Sequence, residues 1–254
     1  MDLCIDIGNT TFVVGVYKNK KLIKKDFFLV DDVLDAEQYE VNFLTLLGNH
    51  GVNPNKVNRI MYSSVVPDVD KKLLPRLKDI FSCPIHRVKE KPLDLSFGKI
   101  DVNEVGYDLL DALIGAKIKY GYPTIIADLG TASKVLLLDK KGVFDTCLII
   151  PGLSMSIASL SNKAALLPNI KLETPKSALA HNTIEAMNAG VILGHADMLS
   201  GLVKRIEKEI GYSCKRILTG GSSIYIKDLL KDDFIYDADL CVDGLEAILG
   251  DKND

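Results

Sequence analysis

The sequence predicts an α/β protein made of two related halves, each with a mixed sheet covered by helices. Three observations predict this class. Short apolar runs alternate with longer helical patterns along the whole chain. A turn with an aspartate, a glycine and small polar residues occurs twice, each time between two apolar runs. The 254 residues, 47% of them hydrophobic and 26% charged, are enough to form two hydrophobic cores.

The first of these turns, Asp6-Ile7-Gly8-Asn9-Thr10-Thr11, separates two predicted strands. Its glycine lets the backbone approach a ligand closely, and successive turn N–H groups suit phosphate oxygens. Phosphate repels the carboxylate of Asp6, so we expect Asp6 to hold Mg²⁺, directly or through water. A plain β-hairpin has the same residue types and is more frequent, so this turn alone favours the structural interpretation.

The second copy of the turn favours the phosphate-binding interpretation. Asp128-Leu129-Gly130-Thr131-Ala132-Ser133 lies between the apolar residues 125–127 and 135–138. The offset between the two aspartates, 128 − 6, is close to half of the chain. We therefore expect two related domains that close over a nucleotide, with both turns facing one cleft.

The first half of the chain follows the pattern βββαβα, which is typical of a mixed sheet with helical cover. A polar segment without periodicity follows at residues 89–104, and we predict a mobile connection or a loop on the substrate side. The predicted strands are residues 2–7, 11–17, 22–30, 57–66 and 84–88, and the predicted helices begin at Asp35 and Asp68.

The second half begins with a predicted helix at residues 105–120, so we predict domains at 1–104 and 105–254. Strands between residues 124 and 150 and a helix beyond Pro151 come next. A long helical pattern at 183–210 carries three glycines, Gly190, Gly194 and Gly201. Small residues of this kind allow another helix to approach closely. That helix would belong either to the first domain or to a second subunit.

A predicted strand at residues 215–218 leads into Thr219-Gly220-Gly221. A double glycine between a strand and a helix start suits a nucleoside or a phosphate group that contacts the backbone. A tight turn without a ligand has the same residues, and both interpretations stay open.

Composition and motifs exclude several classes of protein. The net charge of −3 predicts no nucleic-acid partner, and the absence of any run of about 20 apolar residues predicts neither a membrane span nor export. Five scattered cysteines predict reduced thiols in the cytoplasm. The four histidines lack metal-ligand spacing, and no G-x-x-x-x-G-K-[ST], G-x-G-x-x-G or G-x-S-x-G motif occurs.

Eight segments along the chain form one ordered set of motifs: residues 6–10, 63–67, 106–108, 128–132, 151–153, 164–168, 182–186 with Gly190, and 219–221. In these segments, and over nearly its whole length, the chain resembles the type III pantothenate kinases. The resemblance implies two RNase-H-like domains of the actin-like ATPase type and a homodimer. It also implies phosphorylation of pantothenate with ATP, the first committed step toward coenzyme A, with Mg²⁺ and a monovalent cation, K⁺ or NH₄⁺.

The resemblance assigns the nucleotide-binding residues to three segments. Asp6, Ile7, Gly8, Asn9, Thr10, Thr11, Phe12 and Val13 would form the first phosphate loop. The second loop would contribute Gly130 and Thr131, and the later double glycine would contribute Gly220 and Gly221. Asp128 is similar to the ligand of the monovalent cation.

The same resemblance implies an acceptor site and a general base. Gly106, Tyr107, Asp108 and Leu109 would contact pantothenate, and Thr183 would reach it from the partner subunit. Asp108 would orient the attacking hydroxyl group and accept its proton as the γ-phosphoryl group is transferred. An aspartate in the first turn of a helix is also typical of a residue that only complements the helix dipole.

Leu109 departs from the family pattern, which has an arginine directly after the general base. Lys99 and Lys134 are the candidates to supply the missing charge. Without that arginine we expect weaker binding of the anionic acceptor. Two alternatives stay open: a nucleotide-binding regulatory paralogue without turnover, and a kinase of the same superfamily that acts on another small hydroxyl compound. A paralogue without turnover should tolerate the loss of Asp108, whereas both kinases should not.

Overall fold

The computed structural model describes residues 1–30, 44–45, 47–48, 51–90 and 93–250. The helix predicted from Asp35 falls mainly on residues outside these ranges. The chain packs as two compact units. The first contains the described residues within Met1–Asp94, Val102–Ile118 and Asp239–Asp254, and the second contains Leu95–Asp101 and Lys119–Ala238.

The strands and helices follow the predicted order closely. The strands are β1 Asp2–Ile7, β2 Thr11–Lys18, β3 Lys21–Leu29, β4 Arg59–Ser64, β5 Ile85–Arg87, β6 Ser96–Phe97, β7 Thr124–Leu129, β8 Ala132–Leu138, β9 Val143–Pro151, β10 Lys215–Thr219 and β11 Ile235–Tyr236. The helices are α1 Pro67–Ile80, α2 Tyr107–Tyr120, α3 Leu153–Lys163, α4 Thr183–Ile210 and α5 Leu240–Gly250.

The first unit contains a five-stranded sheet in the order β3-β2-β1-β4-β5. β1 and β2, and β2 and β3, are antiparallel, whereas β1, β4 and β5 are parallel to one another. α1 packs its apolar residues Val69, Leu73 and Leu77 into the same core as Leu3 and Ile5 of β1. α5 contacts β1, β2 and β4. The four apolar residues of the central strand β1 are all buried, because its neighbours exclude water from them.

A close crossing of α5 and α2 fixes the cover of the first unit. A Cβ atom on Gly244 would lie 1.9 Å from the carbonyl oxygen of Asp111, and one on Gly115 would lie 2.2 Å from that of Leu240. The two helix backbones thus touch at a point where neither has room for a side chain. α5 was not predicted from the sequence.

The second unit contains a six-stranded sheet in the order β11-β10-β7-β8-β9-β6. β7, β8 and β9 are antiparallel neighbours, and β7, β10 and β11 are parallel. Its core joins the apolar residues of β7 and β8 to Leu153 of α3 and to Ile192, Leu199 and Val203 of α4. The series β9-β8-β7-β10-β11 repeats the strand order and directions of β3-β2-β1-β4-β5, so the prediction of two RNase-H-like halves is confirmed.

Two expectations from the sequence differ from the observed fold. Residues 89–104 are not purely a loop, because β6 lies within them and pairs in parallel with β9 at the edge of the second sheet. The division into compact units also differs from the predicted boundary at 104/105, since most of α2 and all of α5 pack with the first sheet. The cause is the crossing of these two helices, which sequence periodicity does not reveal.

Candidate active site

The first phosphate loop is the short turn between β1 and β2. The N–H group of Gly8 donates to the carbonyl oxygen of Thr11 at 2.9 Å. The side chains of Ile7 and Phe12 are buried in the core, whereas Asn9 and Thr10 are exposed. Ile7 and Phe12 therefore hold the turn in place, and contact with a ligand would come from backbone N–H groups and from the exposed polar side chains.

The glycines of both loops leave space that the fold itself does not use. A Cβ atom on Gly8 would lie 3.4 Å from the carbonyl oxygen of Thr11, and one on Gly130 would lie 3.5 Å from that of Ala132. Both are ordinary contacts, and neither glycine has a positive φ. The fold would thus accept alanine at either position, and the bare backbone suits the close approach of a ligand such as a phosphate group.

Asp6 lies at the end of β1 between two different neighbours. Its cross-strand partner on β2 is Val13, and its partner on the parallel strand β4 is Ser63. The hydroxyl group of Ser63 is buried and has no hydrogen-bond partner among the residues that the structure describes. A carboxylate with a spare hydroxyl group beside it suits a hydrated divalent cation that also binds phosphates.

The second phosphate loop is the turn Gly130–Thr131 between β7 and β8. Asp128 precedes it, and its cross-strand partner on β8 is Lys134. The ammonium Nζ of Lys134 lies 3.7 Å from the carboxylate Oδ2 of Asp128, and the two side chains are only 16% and 11% exposed. The predicted cation ligand therefore already has a cation beside it, and Lys134 is directed at Asp128.

Two glycines enclose this second loop. A Cβ atom on Gly152 would lie 2.3 Å from the carbonyl oxygen of Thr131, and one on Gly220 would lie 2.5 Å from the backbone nitrogen of Leu129. Gly220 also has φ 89° and ψ 155°, a conformation that is essentially restricted to glycine. The double glycine thus packs directly against the second loop, which brings Asp128, Thr131, Gly220 and Gly221 into one region of the second unit.

The N-terminus of α3 also lies at the second loop. The N–H group of Gly152, its N-cap residue, donates to the carbonyl oxygen of Thr131 at 3.2 Å. A glycine has no side chain to cap the first N–H groups of the helix, and such groups favour anions. The first N–H groups of α3 would therefore favour a phosphate group at the second loop.

Asp108 lies in the first turn of α2, where the sequence predicts the general base. A Cβ atom on Gly106 would lie only 2.5 Å from Oδ1 of Asp108, so the carboxylate folds back over the glycine. The spacing Gly-x-Asp therefore has a steric reason, because any larger residue at position 106 would displace the carboxylate. Asp108 itself is half-buried and keeps part of its surface accessible.

The other predicted acceptor residues divide by burial. Gly106 and Tyr107 are half-buried, whereas Leu109 is only 7% exposed. The side chain of Leu109 thus belongs to the packed part of α2. An arginine at this position would bring a guanidinium group into a buried environment.

Thr183 is the first residue of α4 and is exposed. The segment around it forms a capping box: Asn182 accepts from the N–H group of Glu185 at 3.0 Å, and Glu185 accepts from the N–H group of His181 at 2.9 Å. The hydrogen bond from His181, together with Asn182, lowers the pKa of Glu185. Part of this motif therefore has a structural reason, and Thr183 is held at a well-defined helix start.

A buried histidine that the sequence did not distinguish supports the second loop. Nε2 of His195 on α4 lies 2.9 Å from Oγ of Ser133, and both residues are buried. Burial lowers the pKa of His195 below its ordinary value of 6.5, so the neutral ring is favoured. The pair joins β8 to α4 two residues after Thr131 of the turn. Ser133 belongs to the turn motif found in the sequence, whereas no motif pointed to His195.

Within the described part of the chain, no three His, Cys, Asp or Glu side chains come close enough together to form a metal centre. Among the same residues, no helix is both long and apolar enough to cross a membrane.

Comparisons with known proteins agree on one family. The family model for type III pantothenate kinase matches residues 2–205. A type III pantothenate kinase from Persephonella marina is 32% identical over 250 residues, and the match covers 98% of both chains. Another, from Exiguobacterium sibiricum, is 31% identical over 256 residues, also with 98% of both chains covered.

Solved structures support the fold alone, because their sequences are distant. A protein from Campylobacter jejuni assigned to a Baf family of transcriptional activators superposes with a TM-score of 0.60 at 19% identity, covering 97% of this chain and 96% of that one. The archaeal actin homologue Ta0583 superposes with a TM-score of 0.54 at 11% identity, covering 98% of both chains.

Proposed function

The chain belongs to the type III pantothenate kinase family, and we propose that it transfers the γ-phosphoryl group of ATP to the primary hydroxyl group of pantothenate with Asp108 as the general base. The product is 4'-phosphopantothenate, and the reaction is the first step of coenzyme A biosynthesis. The observation that carries this proposal is the family match over residues 2–205, which includes both phosphate loops and Asp108.

The proposed chemistry uses the geometry of the Gly-x-Asp motif. Gly106 leaves room for the Asp108 carboxylate at the start of α2. From there the carboxylate would accept a hydrogen bond from the acceptor's hydroxyl group, orient it in line with the γ-phosphorus atom, and take its proton during transfer. In the first unit the bare turn at Gly8 would bind phosphate through backbone N–H groups. In the second unit the turn at Gly130, with Gly220 and Gly221, would do the same.

Magnesium fits the first loop. Asp6 would hold the ion directly or through water, with the hydroxyl group of Ser63 beside it, and the remaining ligands would be phosphate oxygens and water. The bound ion would neutralise charge on the β- and γ-phosphates.

A monovalent cation does not fit equally well at Asp128, the predicted ligand for K⁺ or NH₄⁺. The Lys134 ammonium group is already 3.7 Å from that carboxylate and would repel a second cation.

A homodimer is the second part of the proposal. At about 100° per residue, Gly190, Gly194 and Gly201 each lie within about 20° of Thr183 on one face of α4. All four residues are exposed, and a Cβ atom on any of the three glycines would meet nothing within 4 Å. Each glycine costs the helix up to about 1 kcal/mol relative to alanine. Close packing against a second copy would explain these glycines and would bring Thr183 to the partner's acceptor site.

We expect Gly194→Leu to convert the dimer into a monomer, because a bulky side chain would hold the two helices apart. Light scattering on a sizing column would measure the mass of each protein. Gly194→Ala is the matched control, since it keeps a small residue and favours the helix; it should remain a dimer of equal or higher stability. A wild-type protein that is a monomer at micromolar concentration would contradict both the dimer and the shared site.

We also propose a cytoplasmic location. None of the five cysteines forms a disulfide bond, which suits a reducing compartment. The acidic net charge of −3 gives no reason to expect a nucleic-acid partner.

The direct test is release of ADP from MgATP with and without pantothenate. We expect release that depends on pantothenate and that disappears with an analogue lacking the primary hydroxyl group. The analogue keeps the carboxylate and amide groups, so it separates phosphoryl transfer to that hydroxyl from hydrolysis of ATP. ATP binding without ADP release in any salt would contradict the kinase assignment and favour the regulatory paralogue. Release with other hydroxyl compounds, but not with pantothenate, would favour the kinase with a different acceptor.

A further inference from the structure

The two phosphate loops give their carboxylates different neighbours. On the parallel strand, Asp6 pairs with Ser63 and Asp128 pairs with Thr219, so both have a residue with a hydroxyl group. On the antiparallel strand, Asp6 pairs with Val13. Paired residues on neighbouring strands project to the same face of a sheet, so the antiparallel partner decides which side chain accompanies each carboxylate.

The corresponding partner of Asp128 is Lys134, and the two side chains form an ion pair. Nζ lies 3.7 Å from Oδ2, with 16% of the lysine side chain and 11% of the aspartate side chain exposed. A nearby positive group stabilises a carboxylate that is this far removed from water. Lys134 supplies that partner from the adjacent strand of the same sheet, without an ion from solution.

The ammonium group of Lys134 is chemically similar to the monovalent cation that it would displace from Asp128. A lysine side chain ends in a compact ammonium group with unit charge and three N–H donors, and NH₄⁺ is the same group without the carbon chain. A second cation at Asp128 would experience repulsion from this ammonium group in surroundings that water screens poorly.

We propose that Lys134 serves as a built-in monovalent cation at the second phosphate loop, so that phosphoryl transfer by this chain requires neither K⁺ nor NH₄⁺. This inference rests on the proposed function, because it concerns the same reaction. It assigns Lys134 to Asp128 and to the phosphate side of the site rather than to the carboxylate of the acceptor.

The first test uses the unmodified protein. Pantothenate-dependent ADP release with MgATP is measured in buffers of equal ionic strength whose added monovalent cation is K⁺, NH₄⁺ or tetramethylammonium. The last ion is too large for a site that binds K⁺ or NH₄⁺. We expect the same rate in all three buffers. A rate that is present in K⁺ or NH₄⁺ and lost in tetramethylammonium would overturn the inference and leave the kinase assignment intact.

The second test removes the charge with Lys134→Gln, which keeps a polar side chain of similar reach. In tetramethylammonium we expect its rate to fall about 10–100-fold, as for the loss of an interaction between charged groups, and K⁺ or NH₄⁺ should restore most of it. Lys141→Ala is the matched control, because Lys141 is an exposed lysine at the tip of the hairpin between β8 and β9. It should behave as the wild type does in every buffer.

Thermal unfolding gives a readout that does not depend on turnover. Replacing tetramethylammonium by K⁺ should leave the Tm of the wild-type protein unchanged and should raise the Tm of Lys134→Gln, since the cation would then occupy the place beside Asp128. A rise in the wild-type Tm, or no rise in the variant, would contradict the inference. The Tm can be measured even if the protein releases no ADP in the presence of pantothenate. A failure of the proposed function can therefore be distinguished from a failure of this inference.

Discussion

Asp108→Asn should reduce turnover by roughly 10²–10⁴-fold, the usual contribution of a positioned general base. Asparagine keeps the size of the side chain and accepts a hydrogen bond, but it cannot take the proton of the attacking hydroxyl group. Aspartate and asparagine at position 108 would occupy the same half-buried place at the start of α2, with the same space beside Gly106. The rate is measured as pantothenate-dependent ADP release at saturating ATP and pantothenate.

The matched control for this substitution is Glu104→Gln, an equally conservative change at an exposed carboxylate four residues earlier in the chain. Its rate should equal that of the wild type. The Tm of both variants should stay close to the wild-type value, because neither change removes packing. An Asp108→Asn enzyme with a nearly normal rate would leave the aspartate with no more than a role at the helix N-terminus.

Gly220→Ala is expected to lower the stability of the protein strongly. The conformation at φ 89° and ψ 155° costs a residue other than glycine about 1–3 kcal/mol. The added methyl group would also lie 2.5 Å from the backbone nitrogen of Leu129 and 2.6 Å from Oδ1 of Asp128, and overpacking of this kind costs about another 1–3 kcal/mol. We therefore expect the free energy of unfolding to fall by about 2–6 kcal/mol, measured by urea denaturation.

The neighbouring glycine provides the control for position 220. Gly221 has no positive φ, and a Cβ atom on it would meet nothing within 4 Å. Gly221→Ala should therefore keep the wild-type stability or raise it by about 0.4–1 kcal/mol, while weakening the binding of ATP if the nucleotide contacts this backbone. Equal stability of Gly220→Ala and Gly221→Ala would contradict the close packing of Gly220 against the second loop.

The main elements of the fold could be predicted because their signals are local. The two Asp-x-Gly turns lie between apolar runs, and each occurs between the predicted strands. α4 has the predicted bounds Thr183–Ile210, since Asn182 caps its first turn and Gly211, with φ 79°, ends it. The repeated turn also predicted that the two halves are related.

Features that depend on distant contacts could not be predicted. α5 carries two glycines in eleven residues, which weakens its helical signal, yet Gly244 is the residue that allows contact with α2. β6 has only two residues and exists because the edge of β9 is available to pair with it. The pairing of Lys134 with Asp128 depends on the register of β7 and β8, and the sequence alone left that lysine as one of two candidates for another role.

The discontinuity of the first unit has a consequence for how the protein is made. On the ribosome, residues 119–238 emerge before α5, so the second unit can fold while the first sheet still lacks part of its cover. α5 then adds its contacts to β1, β2 and β4, a hydrogen bond from Tyr17 to Asp243 at 2.6 Å and one from Arg59 to the carbonyl oxygen of Leu249 at 2.9 Å. A nascent chain would thus complete its second unit before its first, and a chain stalled before residue 239 would leave β1, β2 and β4 without the cover of α5, with apolar surface to which chaperones could bind.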